Sequence, residues 1–175
     1  MKIQPHFGSE RALTCKDFTD SCVAVANGVE VQPYFDVFYD SVYFIIERDD
    51  IRRALLEACI ACDIAVLFES IRAGQQHGKP ELAVRNALSD RDLLVNLRVG
   101  LPKLFGAQAD FSTVQTSDYE LVKQLWAARG SIAHGLSPAV GTHGRAKLPS
   151  RENAADMMLA AYRLIGWLQQ LPNPA

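Results

Sequence analysis

The sequence predicts an all-α fold, a bundle of four to five helices that follows a less regular N-terminal arm. Apolar side chains recur every three to four residues along most of the chain, which is the period of a helix. Residues that cap helix N-termini precede several of these stretches, and glycines or prolines follow them. At 175 residues the chain is long enough for one domain with a substantial core. We therefore divide it into an N-terminal arm, residues 1–30, and a helical domain, residues 31–175.

The first predicted helix spans about residues 31–47 and is rich in aromatic and β-branched side chains. That composition alone suits a strand. However, Phe38, Val42 and Ile45 follow helical spacing, so we predict a helix. Its aromatic side chains are expected to lie in the core or at a dimer interface rather than to stack on nucleobases.

The second predicted helix spans about residues 51–73, with Asp49 or Asp50 as its N-cap. It is apolar on nearly all sides, which predicts a central helix contacted from several directions. Its Cys59 and Cys62 have the spacing of a metal or redox pair. Because they lie inside a helix among alanines, we interpret them as core packing and expect no metal. The breakers over residues 74–80 predict a loop.

Three further helices complete the predicted bundle. The sequence over residues 89–92 opens a leucine-rich helix, which Pro102 should kink or split and Gly106 should end. Ser117 and Glu120 form a predicted capping box for a fourth helix that runs to His134. Ser150 is the predicted N-cap of the fifth helix.

Composition and charge exclude several functional classes. Apolar residues make up 49% of the chain and charged residues 22%, which argues against disorder. The net charge of −2 provides no general attraction to nucleic acid, so any such contact requires a local basic patch. The sequence lacks an apolar run of membrane-spanning length, and its N-terminus lacks the hydrophobic core of a signal peptide. We therefore expect a cytoplasmic protein without a membrane partner.

The fourth helix carries the chemically most informative residues. Arg129 lies one turn after Leu125, in the apolar stripe that the pattern assigns to the core. An unpaired buried guanidinium is costly, so this Arg is expected to be paired or to serve a function. A titratable His134 follows five residues later, at the predicted helix end, and Gly135 can close the helix.

Two segments together resemble the HEPN superfamily. They are Asp50-Ile-Arg-Arg-Ala-Leu-Leu-Glu-Ala-Cys-Ile-Ala-Cys-Asp63 and Leu125-Trp-Ala-Ala-Arg-Gly-Ser-Ile-Ala-His-Gly135, and the similarity covers about residues 34–171. Members are typically helical bundles that dimerise, and the family hallmark is an Arg followed by a His at a helix end. Many are metal-independent endoribonucleases of toxin–antitoxin, anti-phage or RNA-processing systems, and others are catalytically silent.

This resemblance implies a homodimer that binds RNA, without a cofactor, and an antitoxin or other protein as a further partner. The motif carries over onto Arg129 and His134 only, as catalytic residues. Asp63 and Ser131 are further candidates for supporting roles. One departure counts against activity, because the residue after the Arg is often polar in active members and here it is Gly130.

The residue types agree with metal-independent cleavage of RNA. A His suits proton transfer because its reference pKa of about 6.5 lies near neutral pH. An Arg suits the phosphorane because its charged, planar fork matches phosphate oxygens. Five residues on an ideal helix correspond to about 140° of rotation and about 7.5 Å of rise. The two side chains therefore converge only through an extended Arg, a distorted last turn or a second protomer, and the resemblance implies a composite site across a two-fold axis.

The sequence leaves three interpretations open. The first is the ribonuclease, with Arg145, Lys147 and Arg151 as weak candidates for phosphate contacts, although charges spaced in this way more often form a solvated surface. The second is a non-catalytic HEPN-type module for assembly or nucleotide and RNA binding. In that case Arg129 is locked in an ion pair with a carboxylate of the second helix: Asp63, Glu57 or Glu69. The third is a helical interaction domain whose partner covers the aromatic first helix.

Overall fold

The computed structural model describes residues 31–88, 92–133 and 149–171. Helices account for most of these residues, and no strand occurs in these three ranges, so the predicted all-α class is confirmed. The N-terminal arm of residues 1–30 lies outside the described residues. So do residues 134–148, which include His134 and the basic loop after the fourth predicted helix.

Four long helices and several short ones make up the described chain. They are α1 (Pro33–Ile46), α2 (Ile51–Gln76), α3 (Glu81–Ala87), α4 (Leu93–Val95), α5 (Leu101–Phe105), α6 (Phe111–Val114), α7 (Thr116–Ala133) and α8 (Arg151–Leu168). A π-helical turn, Asn96–Gly100, joins α4 to α5, and a 3₁₀ turn, Ala107–Ala109, precedes α6.

Helix α2 is the central element, as its nearly uniform apolar character predicts. It packs against α1, α8, α7 and α3. Asp50 is its N-cap, since its carboxylate accepts a hydrogen bond from the backbone N–H of Arg53 at 3.1 Å. Asp49, in the turn before it, has a φ of 50°, a left-handed conformation that Asp adopts more readily than most residues. The chain therefore reverses sharply between α1 and α2.

The core lies between α2 and the faces of α1, α7 and α8 that turn toward it. Tyr34 and Phe38 of α1 are fully buried, and one apolar face of α8 is buried as a set: Ala154, Met157, Met158, Ala161, Leu164, Ile165 and Leu168. Ser150 is the N-cap of α8, as predicted, and accepts a hydrogen bond from the N–H of Asn153 at 3.1 Å. These contacts fix the bundle that carries α7.

A buried polar network joins the N-terminus of α1 to the C-terminal parts of α2 and α8. The Tyr34 hydroxyl donates to Glu69 at 2.6 Å, and Arg72 pairs with the other oxygen of the same carboxylate. Arg72 also donates to the backbone oxygens of Gln169 at 2.9 Å and Leu171 at 3.1 Å, which satisfies carbonyls at the C-terminus of α8. Burial and the neighbouring Glu69 carboxylate both raise the pKa of Tyr34, so its hydroxyl keeps its proton and remains a donor.

The middle of the chain departs from the sequence prediction in two places. The predicted loop over residues 74–80 is wrong for its first part, because α2 continues to Gln76. Gly74 lies inside that helix, where an added Cβ would come within 2.5 Å of a Val84 methyl of α3. The glycine thus permits close packing of two helices instead of ending one. Helix α3 itself was not predicted.

The expected break at Pro102 appears as a local change of helix type. The π-helical turn ends at Gly100, and the Leu101 N–H bonds the Asn96 carbonyl five residues back. Because Pro102 has no N–H to donate, the α-helical ladder cannot continue unchanged through this region. Gly106, with a φ of 93°, ends the helix as predicted.

The predicted capping box of the fourth helix is wrong. Helix α7 begins at Thr116, so Ser117 lies within its first turn rather than at its N-cap. The chain is already helical there because α6, capped by Asp110 through the N–H of Ser112, leads almost directly into α7. Asp118 instead pairs with Arg163 at 3.0 Å and joins the start of α7 to α8.

Candidate functional site

Arg129 lies near the C-terminus of α7, at the edge of the buried face and not within it. The buried residues of α7 are Asp118, Tyr119, Val122, Leu125 and Ala128. Arg129 is partly exposed, so the prediction that it lies in the buried stripe is wrong. The buried residue is its neighbour, Ala128. The small side chain of Ala128 occupies the buried position, which leaves the guanidinium beside the core.

The guanidinium of Arg129 lies over an aromatic ring. Its central carbon is 4.8 Å from the centre of the Trp126 ring, one turn earlier in α7. Such a cation–π contact orients the guanidinium while leaving its N–H groups available to other acceptors. Sequence analysis did not predict this contact, although the spacing of three residues places both side chains on one helix face.

None of the three proposed carboxylate partners forms an ion pair with Arg129. Glu69 belongs to the buried network with Tyr34 and Arg72, and Glu57 lies 3.6 Å from Arg53. Within the described ranges, no carboxylate lies within salt-bridge distance of Arg129. The hypothesis of an Arg129 locked in a core ion pair is therefore not supported for these residues.

Asp63 of α2 is the carboxylate that the structure places near Arg129. The pKa of Asp63 is raised to about 6, mainly because the carboxyl is buried. The positive charge of Arg129 lowers this pKa, and the neighbouring carboxylate of Asp92 raises it. In the described part of the chain, the Asp63 carboxylate accepts no hydrogen bond. Asp63 and Arg129 are thus coupled electrostatically across the α2–α7 contact without a direct ion pair.

The two residues that follow Arg129 contribute little to the side-chain geometry. The Ser131 hydroxyl donates to the Ala127 carbonyl of its own helix at 3.2 Å, so it is used within α7. A Cβ added at Gly130 would meet no atom of the described residues within 4 Å, apart from its chain neighbours and the nearby backbone of its own helix. Among the described residues, an alanine methyl at this position would therefore fit.

The remaining predicted site residues are only partly described. His134, Arg145 and Lys147 lie outside the described residues. Arg151, the first residue of α8, lies 3.8 Å from the Asp49 carboxylate and donates to the Ile46 carbonyl at 3.4 Å. It therefore joins α8 to the turn between α1 and α2.

Cys59 and Cys62 belong to the hydrophobic core. Both are fully buried, and the Cys59 thiol donates to the Leu125 carbonyl of α7 at 3.6 Å. Burial raises the pKa of both thiols. No group of three or more His, Cys, Asp or Glu side chains suited to a metal ion occurs in the part of the chain that the structure describes.

A cavity of about 320 Å³ lies against Asp63, between α2, α3 and the π-helical turn. Arg85 and Asn96 also border it, and the remaining lining is aliphatic: Ile64, Val66, Leu67 and Leu88. Sequence analysis missed this cavity because its lining comes from α2, α3 and the π-helical turn, and neither α3 nor that turn was predicted.

Comparisons with protein-family models, with curated proteins and with solved structures yield no match. Among the described residues, no helix has both the length and the apolar character that crossing a membrane requires.

Proposed function

We propose that this protein is a HEPN-like, metal-independent endoribonuclease in which Arg129 binds the scissile phosphate and His134 transfers protons. The proposal rests on one observation, the exposure and the contacts of the Arg129 side chain. Its guanidinium is partly exposed, lies over Trp126 and has no carboxylate partner at ion-pair distance among the described residues. A cation that is oriented but unpaired suits a phosphate ligand, because a guanidinium fork binds two phosphate oxygens at once.

The fold is compatible with this role. Arg129 stands near the end of a long helix that α2 and α8 hold in place, so its backbone is fixed while its side chain remains partly exposed. His134 follows Ala133, the last residue of α7, and the resemblance assigns it the proton transfer. A His in that position would act as the base that removes the 2′-hydroxyl proton and as the acid that protonates the leaving oxygen.

The resemblance also supports a composite site in a cytoplasmic homodimer. An Arg and a His five residues apart point in different directions on a straight helix. In a two-fold dimer, Arg129 of one protomer and His134 of the other would face each other, because such an interface brings the same surface of both chains together. An antitoxin or other regulatory protein is the further partner that this family would imply.

Cleavage of a pool of single-stranded RNA and tRNA in the presence of EDTA tests the proposal. The wild-type protein should cut and leave 2′,3′-cyclic phosphate ends, and Arg129→Ala and His134→Ala should not. Lys123→Ala is the matched control, because Lys123 is an exposed cation on the same helix whose partner is Glu120. Equal activity in all four proteins would indicate a contaminating nuclease and contradict the proposal.

Mixing the two inactive variants tests the composite site separately. If each site takes its Arg and His from different protomers, a mixed dimer of Arg129→Ala and His134→Ala retains one intact site. About a quarter of the wild-type activity should then return after subunit exchange. A monomer in sedimentation analysis, or no recovery of activity in a confirmed mixed dimer, would contradict the shared site.

A second candidate is a non-catalytic HEPN-type module that binds RNA without cutting it. Gly130 favours this candidate, since it provides no polar side chain one turn before the expected His134 position. Measuring RNA binding and RNA cleavage by the same wild-type protein distinguishes the two functions. RNA binding that depends on Arg129, without cleavage by the wild-type protein, would establish the non-catalytic module.

A further inference from the structure

We propose that the cavity between α2, α3 and the π-helical turn binds a small organic cation, with Asp63 as the residue that pairs with its charged group. The volume of about 320 Å³ lies at the lower end of the range of roughly 300–1,000 Å³ that ligand pockets occupy. It therefore suits a compact ligand of one ring or a short chain.

The lining determines the class of ligand. Aliphatic side chains form more than half of the lining, which favours an apolar or flat body. Asp63 contributes a carboxylate that accepts no hydrogen bond and forms no ion pair in the described part of the chain. An amidinium, guanidinium or ammonium group would donate hydrogen bonds to this half-buried carboxylate, and the first two match both carboxylate oxygens.

The other charged groups around the cavity favour a cation over an anion. Arg85, the one cation in the described lining, is paired with Glu81 at 2.7 Å. Asp92, at the start of α4, adds a second negative charge near Asp63. Arg129 approaches Asp63 from α7 and is not among the lining residues. A ligand cation would thus meet one unpaired carboxylate and no unpaired cation in that lining.

The proposed site is distinct from the proposed ribonuclease, and neither depends on the other. Asp63 nevertheless connects them, because it lines the cavity and interacts electrostatically with Arg129. A cation bound at Asp63 would repel the Arg129 charge, and removal of that charge should strengthen cation binding.

Isothermal titration with benzamidine, which joins a flat apolar ring to an amidinium, tests the site in the full-length protein. We expect a dissociation constant on the order of 1 mM or below, as a probe of this size allows. The uncharged isostere benzamide should bind at least tenfold more weakly. Equal affinity for benzamidine and benzamide would overturn the proposal, because the site would then not recognise charge.

Two variants locate the binding. Asp63→Asn should weaken benzamidine binding at least tenfold, whereas Asp156→Asn, which changes an exposed carboxylate of α8, should leave it unchanged. Ile64→Trp should fill the cavity while leaving the carboxylate in place, and it too should weaken binding at least tenfold. Benzamidine binding that survives Asp63→Asn in a folded protein would overturn the assignment, as would binding that survives Ile64→Trp.

Two further titrations separate this site from nonspecific adsorption. Lowering the pH from 7.5 to 5 should weaken binding about tenfold, because the Asp63 carboxyl, with a pKa of about 6, becomes mostly protonated. Arg129→Gln should tighten binding. These readouts do not involve RNA, so a protein without ribonuclease activity could still bind the cation, and the reverse also holds. Binding that weakens neither at pH 5 nor with Asp63→Asn would contradict the site.

Discussion

Glu69→Ala should destabilise the protein more than any exposed carboxylate substitution. The Glu69 side chain is 3% exposed and serves two donors on different helices, the Tyr34 hydroxyl and the Arg72 guanidinium. A hydrogen bond to a charged group contributes about 1.5–3 kcal/mol, and this one is buried. Arg72 is 35% exposed, so solvent screens its pairing and we assign it only about 0.5–1 kcal/mol.

The expected loss in the free energy of unfolding is therefore about 3 kcal/mol. For a chain of this size, that corresponds to a fall in Tm of about 6–12 °C. Glu69→Gln should lose less, about 1–2 kcal/mol, because the amide oxygen still accepts from Tyr34. Calorimetric or circular-dichroism melting at pH 7 measures these differences.

The control is Glu120→Ala, which breaks the exposed pair with Lys123 and should cost less than about 0.5 kcal/mol. A double-mutant cycle with Tyr34→Phe isolates the buried hydrogen bond and should give a coupling of at least about 1 kcal/mol. The reasoning would be refuted if Glu69→Ala lowered Tm no more than Glu120→Ala does.

Three further predictions concern α2 and α7. Because burial raises the pKa of Asp63 to about 6 from 3.8, its ionisation destabilises the fold as pH rises through 6. Asp63→Asn should therefore raise stability by about 1 kcal/mol at pH 7.5 and not at pH 4, and an equal gain at both would contradict this linkage. Gly130→Ala should add about 0.5–1 kcal/mol in chemical denaturation, since its Cβ meets no neighbouring atom of the described residues within 4 Å, and a loss would indicate a backbone that only glycine tolerates. The peptides with Cys59 and Cys62 should resist iodoacetamide in native protein and react after unfolding, as judged by mass spectrometry, and rapid native labelling would contradict their burial.

The long helices were predictable from sequence because one local pattern determines each of them. Apolar spacing placed α1 and α8, and Asp50 and Ser150 marked helix starts that the structure confirms. The capping box at Ser117 failed because the neighbouring turn of α6 sets where α7 begins. The helix end predicted at Gly74 was wrong for a similar reason, because this glycine allows close contact with Val84 and does not end the helix.

The candidate site was less predictable because it depends on contacts between helices. The sequence identified Arg129 and named Asp63 among three carboxylates, but it could not separate Asp63 from Glu57 and Glu69. Which carboxylate lies near Arg129 depends on which side of α2 faces α7. It also depends on Glu69 already being bound by Tyr34 and Arg72. The contact with Trp126 lies within one helix and could have been found from the spacing of three residues.

The rate of RNA cleavage by Arg129→Ala, relative to Lys123→Ala at equal folded concentration in EDTA, tests the central proposal most directly. If Arg129 binds the phosphate in the transition state, its loss should lower kcat/KM at least 100-fold, while Lys123→Ala stays within about twofold of wild type. Wild-type cleavage that Arg129→Ala retains in full would contradict the proposed role of Arg129.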